Sequence, residues 1–329
     1  MAYRLITIIN LRIRRHFKTY ACIVATLVVA ALLFIVYFSI APSGFPAKEI
    51  VTLKKGTYMS QAADILAKQG VIKSPLLFKA YVVLLTGHRQ VQAGDYLFDS
   101  PQSALRVAYR AAYGIQGLPK IRVTFFEGMT VKDMGTILKR AIPQFDLQTF
   151  LALAKPEEGY LFPDTYFFYE NTTPADVVNQ LRSTFIDKTK PLLLDIQAFG
   201  KSASDIVTMA SIVEREATST TDRRIIAGIL WKRIRSGMPL QVDPTFYYIL
   251  GKDSASLTLS DLAVDSPYNL YKHTGLPPTP IDNPGLNAIL DTLHPTATSY
   301  FFYLSDKKGQ MHYAATLDGH TANANKYIE

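Results

Sequence analysis

The dominant feature of the hydropathy pattern is an uncharged run between Lys18 and Lys48, whose apolar part, Ala21 to Ala41, reads ACIVATLVVAALLFIVYFSIA. A helix rises about 1.5 Å per residue, so roughly 20 such residues cross a hydrocarbon core about 30 Å thick. The pattern therefore predicts one transmembrane helix over 20–41. A cleaved signal peptide would carry a shorter apolar core of about 7–15 residues, and a cut after Ser39-Ile40-Ala41 would leave Pro42 at the new terminus. The segment reads as an anchor. Pro42-Ser-Gly-Phe-Pro46 then breaks the helix and predicts a linker over 42–49, after which Glu49 to Leu53 has the β-branched alternation of a strand.

Beyond the linker the pattern repeats. VTLKKGTYMSQAADIL from Val51 recurs loosely as VTFFEGMTVKDMGTIL from Val123, which predicts two copies of a strand–turn–helix unit. Gly56 or Gly128 supplies the sharp turn, and Thr or Ser caps the helix that follows. Between the copies, Ser74-Pro75 opens a helix that Gly87 ends, and QAGDYLF turns into another strand. Residues 50–155 offer no cluster of catalytic side chains and read as a small binding region. Residues 156–329 are richer in motifs. Helices are predicted from Ser204 through Ala217 and from a Thr221 cap through Ile234 to a stop at Gly237. Turns dense in Pro and Gly follow, loops of the kind that carry sites. Helical and strand periods interleave throughout, so the exported body is expected to be α+β.

Charge sets the orientation. The first 48 residues contain no Asp or Glu, and Arg4, Arg12, Arg14, Arg15 and Lys18 crowd the N-terminal side of the apolar run. Basic flanks stay in the cytoplasm, which makes 1–19 a cytoplasmic tail of a single-pass protein of the cell, or inner, membrane and places the rest outside. Removing those five charges from the formal net +8 leaves +3 for everything that follows, so no nucleic-acid partner is expected. The single cysteine, Cys22, begins the apolar run. The body therefore has no disulfide and must be held by packing.

The most informative stretch is IVTMASIVEREAT, in which Glu214 and Glu216 flank Arg215 at a helix end. At about 100° per residue, Ile206, Met209, Ala210, Val213 and Ala217 form the apolar face, both glutamates fall on its shoulders, and Arg215 points away. A carboxyl on the edge of an apolar face is partly desolvated, which raises its pKa and lets it hold a proton for delivery to a leaving group. A solvated charged patch near a helix end fits the same spacing, and the wheel leaves open which glutamate is the acid. Most glycosidases use two carboxylates on opposite sides of the bond, and residues two apart on a helix project in different directions. The two are a poor acid–nucleophile pair, whereas one acid suffices if the substrate carries its own nucleophile. His273, His294, His312 and His320 lack the i, i+4 pairing of a helical metal site, and Ser211 lacks a nucleophile elbow. No metal and no cofactor is expected.

MASIVERE, KRIRSGMPLQVDPTFYY, SPYNLYKHTGLPPTPIDNPG and HP before YFFYLSD, with EGYLFPDTY upstream, together resemble the catalytic domain of the endolytic murein transglycosylase family, also called YceG-like. The order and spacing of five motifs carry the resemblance, and the region after the anchor resembles the family's LysM-like module. The resemblance implies a larger catalytic domain over 156–329 that cuts nascent peptidoglycan internally. It implies that Glu216 protonates the oxygen between N-acetylmuramic acid and N-acetylglucosamine and then takes a proton from the muramic acid's own C6 hydroxyl, giving a 1,6-anhydro end. Glu214 becomes a hydrogen-bonding neighbour, and Gln241, Asp243, Tyr268 and Asn269 are expected to line the glycan cleft. An Asp before Pro, as at 243–244, is also a routine turn device. Penicillin-binding synthases and the elongation or division machinery are the implied protein partners. Thr279 stands where the family usually has glycine.

Overall fold

A computed structural model describes residues 2–88 and 90–328. The chain divides into two compact units, Met1–Pro119 and Lys120–Glu329. In the first, α1 (Ala2–Ser39) is followed by β1 (Ile50–Leu53), α2 (Met59–Lys68), α3 (Pro75–Thr86), β2 (Gly94–Leu97) and α4 (Ala104–Tyr113). Within α1, Thr19–Ser39 is the one helical segment among the described residues long and apolar enough to cross a membrane, with a mean hydropathy of 2.8 and no burial. The side chains of the basic flank, Arg4 to Lys18, lie outside the described part. The foot of the apolar segment is tied to α3 and the residues just before it: Lys73 Nζ donates to the Tyr37 carbonyl at 3.2 Å, and Ser39 and Tyr81 of α3 share a 2.6 Å hydroxyl contact.

β1 and β2 pair antiparallel, Val51 opposite Tyr96, and put Val51, Leu53 and Tyr96 into a core with Leu66, Phe78 and Val107. Ser74 caps α3 by accepting from Leu77 N, and Gly87 ends it at φ +70, as the Ser-Pro and Gly signals predict. Capping differs between the repeats. Tyr58, whose side chain makes no cap bond, precedes α2, and there the Gln61 side chain accepts from the Tyr58 amide at 3.1 Å. Only the second copy carries the expected Thr cap. Buried Arg110 stabilises the unit from inside, donating to the carbonyls of Leu97, Ile115 and Gln116.

The second unit holds β3 (Ile121–Thr124), α5 (Val131–Ala141), α6 (Leu147–Ala154), β4 (Thr165–Phe168), α7 (Pro174–Thr189), α8 (Leu193–Phe199), α9 (Ala203–Glu216), α10 (Thr220–Arg235), α11 (Pro244–Leu250), α12 (Leu259–Leu262), α13 (Leu286–Leu293), β5 (Phe302–Ser305), β6 (Met311–Ala314) and α14 (Leu317–Tyr327). β3 pairs antiparallel with β4, and β5 with β6. The expected boundary at 155/156 is therefore displaced to 119/120. The second repeat belongs with the glutamate helix because β3 has its partner in β4 and because Met129 bridges to Asn283. α9 is buried along eight consecutive residues, Ile206–Val213, and packs with α10 and α13 over Ile226, Leu230, Ala288 and Ile289. Arg223 of α10 pairs with buried Asp291 of α13 at 2.8 Å, which Arg224 also reaches at 2.9 Å.

Candidate active site

Ser202 caps α9 through the Asp205 amide, and the helix stops at Glu216 because Ala217 takes an extended conformation and Ser219 caps the next helix. Glu214, Arg215 and Glu216 all lie within α9, and at about 100° per residue they face three different neighbourhoods. Glu216 meets β5 and α10. Its carboxyl is crowded and largely removed from water, and burial lifts it to about 7, with Asp243 pushing the same way; a hydrogen bond to Tyr303 and the charge of Arg233 pull it back. Tyr303 is itself held well above its ordinary value, first by burial and then by Glu216, so its hydroxyl stays protonated. Arg233 is fixed by the backbone, donating from Nε to the Phe301 carbonyl at 2.7 Å and from Nη1 to the Leu240 carbonyl.

Glu214 leaves the other side. Its Oε2 accepts from the Gly285 amide at 2.9 Å, at the first turn of α13. Burial raises this carboxyl too, the Gly285 bond opposes the rise, and Glu127 adds to it. A Cβ at Gly285 would meet Glu127 Oε1 at 1.9 Å, so a larger residue there would make the exposed Glu127 side chain swing aside. The expectation that Arg215 points away is corrected. Its Nη1 donates to the Gly128 carbonyl at 3.0 Å and its guanidinium lies 4.1 Å from the Tyr247 ring centre, because the β3–α5 turn and α11 pack on that side.

Of the residues expected in the cleft, Asp243 stands closest to the chemistry. It precedes α11, acts on Glu216 electrostatically, and accepts from the Tyr271 hydroxyl at 2.6 Å. Gln241 is exposed, with its amide bonded to the Leu270 carbonyl at 3.0 Å and φ at +51. A non-glycine residue in that region costs about 1–2 kcal/mol, the kind of strain that collects at functional sites. Tyr268 donates to or accepts from Thr279 at 2.8 Å and packs on Tyr248 with ring centres 5.0 Å apart. Threonine at 279 therefore gives Tyr268 a partner that glycine would not. Asn269 departs from expectation. It is fully buried, its amide donating to the Leu262 and Val264 carbonyls and accepting from the Tyr271 amide, so it shapes the loop that carries Tyr268 and Tyr271 and offers nothing to a ligand.

Several residues escaped sequence reasoning although they lie inside the motifs. Tyr303 and Arg233 are two of them. Asn283 is a third: fully buried, it accepts from the Gly159 and Leu161 amides, both at 2.9 Å, and donates to the Met129 carbonyl and Glu158 Oε1, both at 3.0 Å. One amide thus joins three loops. Asp282 beside it is buried with no hydrogen-bond partner for either oxygen among the described residues, and burial, Glu214, Glu158 and Asp133 hold its carboxyl well above the usual range against the opposing charge of Arg215. Glu158 is likewise buried and lifted to about 7, burial outweighing its bonds to Val131 and Asn283 and the charge of Lys155. Ser211, considered as a nucleophile, is sealed in the core, donating to Thr208 and accepting from Ile281.

A helix-end carboxyl raised to about 7, with a hydroxyl and a fixed guanidinium acting on it, has the components that general acid–base chemistry requires. The sequence profile of the YceG-like family matches residues 51–326. A Bacillus subtilis (strain 168) protein named endolytic murein transglycosylase is 31% identical over 305 residues, covering 84% of each chain. A protein of that name from Streptococcus pneumoniae serotype 2 (strain D39) is 26% identical over 333 residues, covering 88% of this chain and 60% of its own. The chain thus spans about three fifths of the streptococcal relative's length. A yceG-like protein from Listeria monocytogenes, solved by crystallography, superposes with a TM-score of 0.57 at 27% identity, covering 84% of this chain and 99% of that one. The chain belongs to the YceG-like family. Its activity class is that of a lytic transglycosylase, a lyase.

Proposed function

We propose that this chain is a membrane-anchored endolytic transglycosylase of peptidoglycan in which Glu216 is the one acid–base residue. The observation that carries the reading is the Glu216 carboxyl, lifted to about 7 by burial and hydrogen-bonded to Tyr303. In its neutral form it donates its proton to the oxygen linking N-acetylmuramic acid to N-acetylglucosamine, and that C–O bond breaks. The carboxylate left behind takes the proton of the muramic acid's C6 hydroxyl as O6 closes on C1, so the proton count returns to its start and the product carries a 1,6-anhydro ring. Tyr303 and Arg233 stabilise the charged intermediate form of Glu216. Asp243, Gln241 and Tyr268 contact the glycan, and Glu214, engaged by the Gly285 amide, positions the helix end.

Thr19–Ser39 spans the membrane with the basic tail in the cytoplasm and the body outside, close to where new strands emerge. The first unit acts as a LysM-like glycan-binding module, and penicillin-binding synthases with the elongation or division machinery are the protein partners. The test is to incubate the full chain in detergent micelles with purified peptidoglycan and identify the ends released by mass spectrometry. Anhydro ends are expected. Reducing ends would mean water is the nucleophile, and no new ends from a folded protein that binds glycan would make it a scaffold.

A further inference from the structure

The second unit contains a cavity of about 590 Å³ in which Leu151, Lys155, Glu158, Tyr247, Tyr248 and Leu250 converge, a size within the range of about 300–1,000 Å³ usual for ligand clefts. None of these residues touches Glu216 by any bond described above. The cavity meets the glutamate motif through Tyr247, whose ring underlies Arg215 and whose hydroxyl donates to Asp133 Oδ1 at 3.1 Å. Its polar groups are few and held in place. Glu158 is only 3% exposed. Its Oε1 is occupied by the Val131 amide and the Asn283 side chain, at 2.9 and 3.0 Å, while Oε2 has no hydrogen bond within the described residues. Lys155 lines the same cavity, its Nζ donating to the Tyr248 hydroxyl at 2.6 Å, which leaves two of three ammonium protons for a ligand.

A carboxyl and an ammonium on the wall of one cavity, not paired with each other, with leucine and tyrosine around them, complement a secondary amide, whose N–H and C=O point in opposite directions: its N–H donates to Glu158 Oε2 and its carbonyl accepts from Lys155 Nζ. Two tyrosine rings add amphipathic surface suited to a sugar ring. We infer that this cavity is a binding site, separate from the bond-cleaving groups, for an acetamido sugar of a glycan strand, reading the acetamido group through Glu158 and Lys155. The inference rests on the peptidoglycan reading for its ligand. A stem peptide presents the same amide chemistry, so the test has to separate the two sources.

The probe is an N-acetylglucosamine pentamer with a diazirine in one N-acyl group, photolysed with the full chain in detergent micelles; adducts are mapped by mass spectrometry. Adducts are expected on residues 151–158 and 247–251. They should fall by about tenfold in Glu158→Gln, which keeps the Oε1 contacts but turns the Oε2 acceptor into a donor, and likewise in Lys155→Met. Unlabelled N-acetylglucosamine pentamer should compete, and the glucosamine pentamer, lacking the acetyl groups, should not. Equal competition by both, or no adducts on these segments, or labelling that neither substitution changes, overturns the site. Competition by a free wall-stem peptide but not by the acetylated sugar overturns the sugar assignment. The outcome is independent of turnover: pocket labelling in a chain that yields no anhydro ends sinks the transglycosylase reading alone, and anhydro ends without pocket labelling sink this inference alone.

Discussion

Glu214 and Glu216 lie two residues apart at the end of the same helix, and burial raises both carboxyls, yet their partners divide the work. Glu214 is held by a backbone amide at the first turn of α13, a fixed acceptor with one structural task. Glu216 meets a tyrosine hydroxyl and a guanidinium, both of which favour its carboxylate against the burial that favours its neutral form. Desolvation alone therefore does not mark a catalytic acid. What sets Glu216 apart from Glu214 is that two side chains, one of them cationic, oppose its desolvation where Glu214 has a backbone amide.

That contrast is sharpened first by removing the acid itself. Glu216→Gln should lower turnover by at least about 10³-fold, about 4 kcal/mol of barrier, without lowering the thermal midpoint, measured by calorimetry beside the rate. Tyr303→Phe comes next, with a rate loss of roughly 10–100-fold. Its pH profile separates a tuning role from a packing one. Glu216 must enter the reaction protonated, so wild-type kcat/KM should fall as pH rises through about 7. The Tyr303 hydrogen bond favours the carboxylate, so its loss should move that fall to higher pH, and an unmoved profile would remove Tyr303 from the account.

The Glu214 side should respond in stability. Glu214→Ala leaves the Gly285 amide unsatisfied and should cost about 1–3 kcal/mol, whereas Glu214→Gln keeps an acceptor and should cost less; denaturant titration measures both. The smallest effect concerns Asp282. Its folded-state carboxyl is raised while the unfolded chain ionises in the ordinary range, so folding takes up a proton and stability falls as pH rises above the unfolded value. Asp282→Ala removes that penalty. It should raise the Tm by a few degrees at pH 8, with the gain fading as pH is lowered towards about 4; a gain independent of pH would mean Asp282 is ionised in the fold.

Local signals were legible where they are chemically specific. Ser74, Pro75 and Gly87 bound α3 as read, and Gly56 and Gly128 both take positive φ in the turns of the two repeats. The repeat itself misled the domain boundary, since each strand–turn–helix copy closes on a partner strand of its own at the same sequence separation, Ile50 opposite Leu97 and Ile121 opposite Phe168, so the boundary falls between the copies and not after the second. The helical wheel placed both glutamates on the shoulders of the buried face but could not know that Gly128 and Tyr247 would cover Arg215. Tyr303, Arg233 and Asn283 were unreadable for a related reason. Each acts on a group far away in sequence, and nothing in a tyrosine on a strand or an asparagine before Pro284 announces which group that will be.

The most direct test of the acid–base assignment is to treat one peptidoglycan preparation with Glu214→Gln and Glu216→Gln side by side and count anhydro ends by mass spectrometry. The account predicts that Glu214→Gln retains cleavage within about tenfold of the parent chain while Glu216→Gln yields none above background. Anhydro ends from Glu216→Gln, or their loss in Glu214→Gln alone, would contradict it.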